Sequence, residues 1–227
     1  MPTAAEWEIL ALSLKVAFWG LAVSLPLAIA VAFVLARQEF PGKTLFDAVV
    51  HLPLVLPPVV VGFALLVLFG TQGPVGKMLE PLGIVFIFKW TGAALAAAIM
   101  GFPLLVRAIR LAIEAVDTRL EVAARTLGAS RTRVFFTVTL PLAASGVVTG
   151  ALLAFARALG EFGATVTFVS NIPGETRTLP LAIYTATQVP NGDAEALRLS
   201  IVSVLVSLVA LALSEWMVRR HRRAAHA

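Results

Sequence analysis

Two charged side chains, Arg157 and Glu161, stand at the end of an apolar stretch. They are four residues apart, so on a helix they share one face and can form an ion pair. An ionisable residue at membrane depth indicates a functional site. The alternative explanation is that the two side chains extend to the membrane–water interface, where water surrounds their charged groups. Covalent chemistry is not indicated, because the sequence contains no cysteine, no Gly-x-Ser-x-Gly elbow and no His-Glu-x-x-His motif. We therefore predict no catalytic residue, no cofactor and no metal site.

A second charged segment, 120–128 (LEVAARTLG), lies between two apolar stretches. Asp117 is an N-cap signal, and Gly128 suits a helix end that needs a positive φ, so a helix of about ten residues is predicted within 114–133. Glu121 and Arg125 have the spacing and order of a favourable i,i+4 ion pair. Small residues at the centre favour close contact with a protein partner. A helix lying among lipid headgroups is the alternative.

The composition indicates that lipid surrounds most of the chain. Apolar residues make up 59% of the sequence, charged residues only 14%, and the mean hydropathy is +0.92. Soluble domains contain about 45–50% apolar and about 25% charged residues. In lipid, backbone groups must be paired internally, and the continuous apolar stretches favour helices over a barrel. About five transmembrane helices are predicted, because five stretches approach the length needed to cross a bilayer; they are 9–36, 45–69, 91–106, 134–156 and 197–218.

The distribution of lysine and arginine predicts the orientation of these spans. Basic residues concentrate in the segments 37–44, 107–133 and 219–227. By the positive-inside rule, these segments are cytoplasmic and the N-terminus is outside. The tail 219–223 (RRHRR) is then a membrane-surface anchor, and no nucleic-acid binding is indicated. Segment 162–186 is interrupted by polar residues and is expected to be an outer loop that dips partly into the membrane, with a sixth span as the alternative.

The second stretch contains three prolines, Pro53, Pro57 and Pro58. Proline removes a backbone donor and clashes with the preceding turn, so this helix should kink or break. Two interpretations remain open from the residues alone. The kink can serve packing only, or the helix can be discontinuous and line a transport pathway.

Several of these motifs together resemble one family of membrane proteins. Segment 123–141 fits the pattern Ala-Ala-x3-Gly-x9-aliphatic-x-Leu-Pro, which is similar to the coupling loop of ABC importer permeases. The segments 40–43 (FPGK), 47–62 (DAVVHLPLVLPPVVVG), 156–164 (ARALGEFGA) and 172–178 (IPGETRT) resemble the molybdate and sulfate permeases. The resemblance covers essentially the whole chain, and its length is closest to the molybdate branch. One departure is Val122, where the coupling motif usually has glutamate, with Glu121 one residue earlier.

The resemblance implies a fold and a function for the whole chain. Residues 1–227 would form a single all-α permease domain of the type I ABC importer fold, in the cytoplasmic (inner) membrane and in contact with lipid. Its substrate would be molybdate, with tungstate, sulfate and thiosulfate as alternatives. Its partners would be a second copy of the chain, two cytoplasmic ATPase subunits and an oxyanion-binding protein outside. The chain itself would be a transport subunit and not an enzyme; a membrane enzyme and a simple channel are the rival classes.

The resemblance also implies roles for named residues. A short cytoplasmic coupling helix would seat in the ATPase, and the candidate contact residues are Glu121, Ala123, Ala124, Arg125, Leu127, Gly128, Leu140 and Pro141. The candidates for the pathway or its gate are Pro57, Pro58, Arg157 and Glu161.

Overall fold

The computed structural model describes residues 3–225, and these residues form helices and connecting turns without any strand. For residue 211 and residues 213–225 only the backbone is described, so the side chains of the basic tail 219–223 lie outside the described part. The helices are α1 (Ala4–Arg37), α2 (Lys43–Val55), α3 (Pro58–Phe69), α4 (Pro74–Leu79), α5 (Trp90–Glu114), α6 (Thr118–Thr126), α7 (Arg131–Val134), α8 (Leu140–Leu142), α9 (Ala144–Leu159), α10 (Gly163–Val169), α11 (Leu179–Thr187) and α12 (Asp193–Ala225).

Two long helices that contain predicted spans are apolar enough to cross a membrane: α1, with 34 residues, and α5, with 25 residues. A capping box closes the start of α1, where the Thr3 side chain accepts a hydrogen bond from the backbone N–H of Glu6 and the Glu6 carboxylate accepts one from the backbone N–H of Thr3. The predicted fifth span, 197–218, lies within α12.

The second predicted span is broken in two. Helices α2 and α3 meet at an angle of 113°. Leu56 and Pro57 between them have extended backbones, with ψ of 142° and 134°, as expected for residues that precede proline. The prediction of a kink or break from the prolines is therefore confirmed.

The fourth predicted span is also broken, although a continuous helix over 134–156 was predicted. Helix α9 is bent by 69° relative to the segment Arg131–Leu142. Pro141 has no N–H to donate to this helix, and the turn before it, Phe135–Thr139, is π-helical. An interior proline and an extra residue in the turn redirect the chain, so the fourth predicted span consists of two helical segments and not of one helix.

Segment 162–186 forms two short helices, α10 and α11, where an outer loop was predicted. They contain seven and nine residues, too few to cross a bilayer. Ser170 between them has φ of 66° and ψ of −163°, a region that is almost exclusive to glycine. The Thr176 hydroxyl donates to the Ser170 carbonyl and accepts from the backbone N–H of Ile172, which holds this turn closed.

The core lies where α5 packs between α1 and α9. Its buried residues are mostly small, with Ala93, Ala96 and Ala97 of α5 almost without exposure. A Cβ at Gly20 of α1 would lie 2.9 Å from the Ala94 carbonyl oxygen of α5. The two backbones therefore approach directly, as small residues allow in membrane helices.

Candidate functional site

Helix α6 is a short amphipathic helix with both ends capped. The Asp117 side chain accepts a hydrogen bond from the backbone N–H of Arg119 at 2.9 Å. At the other end Gly128 has φ of +87°. Its N–H donates to the Arg125 carbonyl, and the N–H of Ala129 donates to the Ala124 carbonyl, which is the Schellman pattern. The predicted helix, its N-cap and the conformation of its terminal glycine are confirmed.

Within the part of the chain that the structure describes, the outer surface of α6 is not covered by other segments. The side chain of Leu127 is 89% exposed, and Val122 is also exposed. Ala123 and Arg125 are exposed and Ala124 is half-buried. The exposed surface of α6 thus combines small and apolar side chains with the charged Arg125. Of the two residues predicted further along, Pro141 is exposed and Leu140 is half-buried.

Glu121 points towards the rest of the chain. Its Oε1 atom accepts hydrogen bonds from Nε and Nη2 of Arg37, at 3.1 and 2.9 Å, and from the Thr139 hydroxyl at 2.9 Å. Arg37 Nη2 also donates to the Val116 carbonyl at 3.0 Å. The predicted pairing of Glu121 with Arg125 is wrong, because Arg37 at the end of α1 offers two aligned donors to the same oxygen.

Neither Arg37 nor Thr139 was predicted as a site residue. Arg37 is 84 residues from Glu121 in sequence, and Thr139 is 18 residues away. The sequence did contain one signal, since Arg37 is a lone basic residue at the end of the first apolar stretch. A groove of about 830 Å³ lies beside these contacts, between the end of α1, α6 and the π-helical turn.

The candidate gate residues fall where the break between α2 and α3 meets the turn between α9 and α10. The start of α10 packs on the start of α3, and a Cβ at Gly62 would lie only 2.6 Å from the Ala164 carbonyl oxygen. A Cβ at Gly163 would lie 2.8 Å from Cβ of Pro58. The structure therefore brings Pro58 close to the turn that contains Glu161. The break between α2 and α3 and the turn between α9 and α10 thus lie side by side, which gives free backbone groups a place away from lipid.

Glu161 is buried, with 2% of its side chain exposed. Its Oε2 lies 2.6 Å from Nη1 of Arg157, although the guanidinium is not aligned for a hydrogen bond to that oxygen. Its Oε1 accepts the backbone N–H of Ala164 at 2.8 Å. The predicted Arg157–Glu161 pair is confirmed. The pair fastens the end of α9 to the start of α10, because the same carboxylate contacts both.

Comparisons with known proteins agree with this architecture. The family described as "Binding-protein-dependent transport system inner membrane component" matches residues 24–223. The chain is 58% identical over 98% of both chains to the molybdenum transport system permease protein ModB of Escherichia coli K12. It is 55% identical over 93% of both chains to ModB of Haemophilus influenzae, and 40% identical over 88% of this chain and 72% of the relative to the sulfate transport system permease protein CysW of Synechococcus elongatus.

Solved structures show the same fold at low sequence identity. An inward-facing MetNI methionine ABC transporter superposes with a TM-score of 0.71 at 17% identity, over 96% of this chain and 94% of that one. A bacterial alginate ABC transporter in complex with an alginate pentasaccharide-bound periplasmic protein superposes with a TM-score of 0.77 at 18% identity, over 96% and 80%.

The fold is that of a type I ABC importer permease, a multi-pass membrane protein. The chain belongs to the family of inner-membrane components of binding-protein-dependent transport systems.

Proposed function

We propose that this chain is the permease subunit of an ABC importer for molybdate. The observation that carries the proposal is the 58% identity, over nearly the whole of both chains, to a molybdenum transport permease. Residues 1–227 then form one permease domain with its coupling loop at about 114–133. The orientation proposed from the basic residues places the N-terminus outside and the C-terminus and α6 in the cytoplasm.

The energy for import is proposed to come from two separate ATPase subunits. Segment 73–78 (GPVGKM) lacks the spacing and the Ser or Thr of a phosphate-binding loop, so nucleotide chemistry falls to another chain. The exposed residues of α6 support docking in a cleft of such a subunit, with Leu127 as the most exposed apolar side chain. Two permease copies are proposed to share one pathway, since a cyclic dimer is the commonest closed assembly.

The pathway is proposed to run beside the break between α2 and α3. Closure of the ATPase subunits would move the α6 helices, and the break at Pro57–Pro58 would act as a hinge. An oxyanion-binding protein outside would deliver the anion. Arg157, which is partly exposed, supplies positive charge near this route without forming a closed anion site.

Reconstitution tests the proposal directly. The chain, its ATPase subunit and its binding protein are placed in proteoliposomes, and uptake of molybdate is measured with and without ATP. ATP-dependent uptake that needs all three components is expected. Anion flux without nucleotide would instead show a channel, and hydrolysis by the purified chain alone would show an enzyme.

A second candidate substrate is sulfate, favoured by the 40% identity to CysW. Selection between tetrahedral oxyanions rests on the delivering protein, so titration of that protein with molybdate, tungstate, sulfate and thiosulfate decides between them. Preference for sulfate over molybdate would overturn the molybdate assignment while leaving the transport class in place.

A further inference from the structure

Three donors from two distant parts of the chain converge on one oxygen of α6. Arg37 at the end of α1 and Thr139 in the π-helical turn both bond to Oε1 of Glu121. Thr139 is fully buried, and the Arg37 and Glu121 side chains are only 14% and 19% exposed. Hydrogen bonds to a charged group in such a setting are the stronger kind.

Arg37 also fixes the bend that leads into α6. Its Nη2 donates to the carbonyl of Val116, which lies between the last residue of α5 and the first of α6. One guanidinium therefore holds both the entry to α6 and its first turn against the end of α1. The Arg37 and Glu121 side chains together set the position of α6 relative to the membrane helices.

The π-helical turn is what presents Thr139 to this contact. In the turn, the N–H of Leu140 bonds to the carbonyl of Phe135, five residues back. In an α-helix each residue advances by about 100° around the axis, so removing the extra residue of the turn would rotate Thr139 relative to everything before it. The turn thus places the Thr139 hydroxyl on the side that faces α6.

We propose that Glu121 is a positioning residue that holds α6 against α1 and the π-helical turn, and that it does not contact the ATPase. This inference rests on the proposed function of α6 as the coupling helix. It replaces the expectation that Glu121 belongs to the docking surface, which is formed instead by the exposed residues on the opposite side of α6. Movement of α6 is then transmitted, through the hydrogen bonds of Glu121 with Arg37 and Thr139, to α1 and to the segment that leads into α9.

The first test needs no transport. Hydrogen exchange is measured on the purified permease alone, comparing wild type with Glu121→Gln, Arg37→Gln and the double variant. Losing one hydrogen bond to a charged group shifts a local opening equilibrium by about tenfold or more, so exchange over 118–127 should rise by about tenfold in each single variant. The double variant should exchange no faster than the worse single, because both changes break the same contact. Unchanged exchange over 118–127 in Glu121→Gln overturns the inference.

The second test measures coupling in the reconstituted importer. Both single variants should keep the ATPase on co-purification while transporting about tenfold fewer anions per ATP hydrolysed. Loss of the ATPase from Glu121→Gln, with retention in Arg37→Gln, would show a direct contact and overturn the inference. Glu39→Gln is the matched control, since it breaks an exposed ion pair to Lys43 (2.7 Å) in the segment directly after α1 and should leave the ratio unchanged.

Two further variants distinguish the loss of the Thr139 hydroxyl from misfolding of the protein. Thr139→Val keeps the shape and removes the hydroxyl, whereas Thr139→Ser keeps the hydroxyl and removes a methyl group. The valine variant should lose coupling severalfold and the serine variant should retain it; equal behaviour would overturn the role of Thr139. If the wild-type importer fails to transport, the proposed function falls, and the exchange measurement still decides whether Glu121 positions α6.

Discussion

A methyl group added at Gly62 tests whether the contact between α3 and α10 matters for transport. In Gly62→Ala the new Cβ would lie 2.6 Å from the Ala164 carbonyl oxygen and 2.9 Å from both the Ala164 Cα and the Thr167 Cβ. Ordinary contact begins at 3.4 Å, so the closest approach of 2.6 Å is short by 0.8 Å. All three neighbours belong to α10, and two of them are backbone atoms that no rotamer change can move.

The cost of this overlap follows from the packing of proteins in general. Overfilling a packed contact costs about 1–3 kcal/mol, which corresponds to about a 5- to 150-fold change in an equilibrium. Helix α10 must therefore retreat from α3 in Gly62→Ala. We expect the variant to insert and assemble but to transport at least fivefold more slowly, with a lower melting temperature in detergent.

Gly160→Ala is the matched control for this experiment. It adds the same methyl group at the end of α9, where the nearest atom to the new Cβ is 3.9 Å away. Uptake in proteoliposomes and the melting temperature are measured for both variants beside wild type. If Gly62→Ala and Gly160→Ala behave alike, the reasoning that the α3–α10 contact controls transport is refuted.

Three more predictions concern the ends of the site. Gly128→Ala should destabilise the end of α6 by about 1 kcal/mol, because φ of +87° is unfavourable for residues with a Cβ, and Gly128→Asn should destabilise it less. Co-purification of the ATPase with each variant measures the difference. Equal retention of the ATPase by both variants would contradict the prediction. The chain has no native cysteine, so a thiol introduced by Leu127→Cys should react with a charged maleimide only from the cytoplasmic side, and labelling from outside would reverse the orientation. Replacing Pro57 and Pro58 together by alanine should slow uptake more than it lowers expression, and unchanged uptake would mean that the break serves packing alone.

The features that the sequence predicted well depend on local physics. Asp117 and Gly128 cap α6 through contacts within a few residues, so their types were enough to place the helix. The two adjacent prolines likewise break the second span through their own sterics, although nothing local sets the angle of 113°. Arg157 and Glu161 pair because they are close in sequence, with Arg157 in the last turn of α9 and Glu161 directly after the Gly160 C-cap.

The features that the sequence did not predict depend on distant partners. Arg125 was the nearby candidate for the ion-pair partner of Glu121. The structure pairs Glu121 with Arg37 instead, because the end of α1 places two hydrogen-bond donors on one side of the carboxylate. The π-helical turn comes from one extra residue, which leaves the apolar pattern of 134–156 almost unaltered. A loop was predicted for 162–186 because polar and turn-forming residues interrupt it at 171–177, and the structure places these residues in the connection between the short helices α10 and α11.

The contact of bare backbones between α1 and α5, seen at Gly20, has a mechanical consequence. Where no long side chains separate two helices, few flexible groups can adjust when one helix slides along the other. The two helices therefore move as one rigid unit. Helix α5 is about 37 Å long at 1.5 Å per residue, and a tilt imposed at its α6 end must reappear at the far end. Bending is then confined to the connections next to α1 and α5.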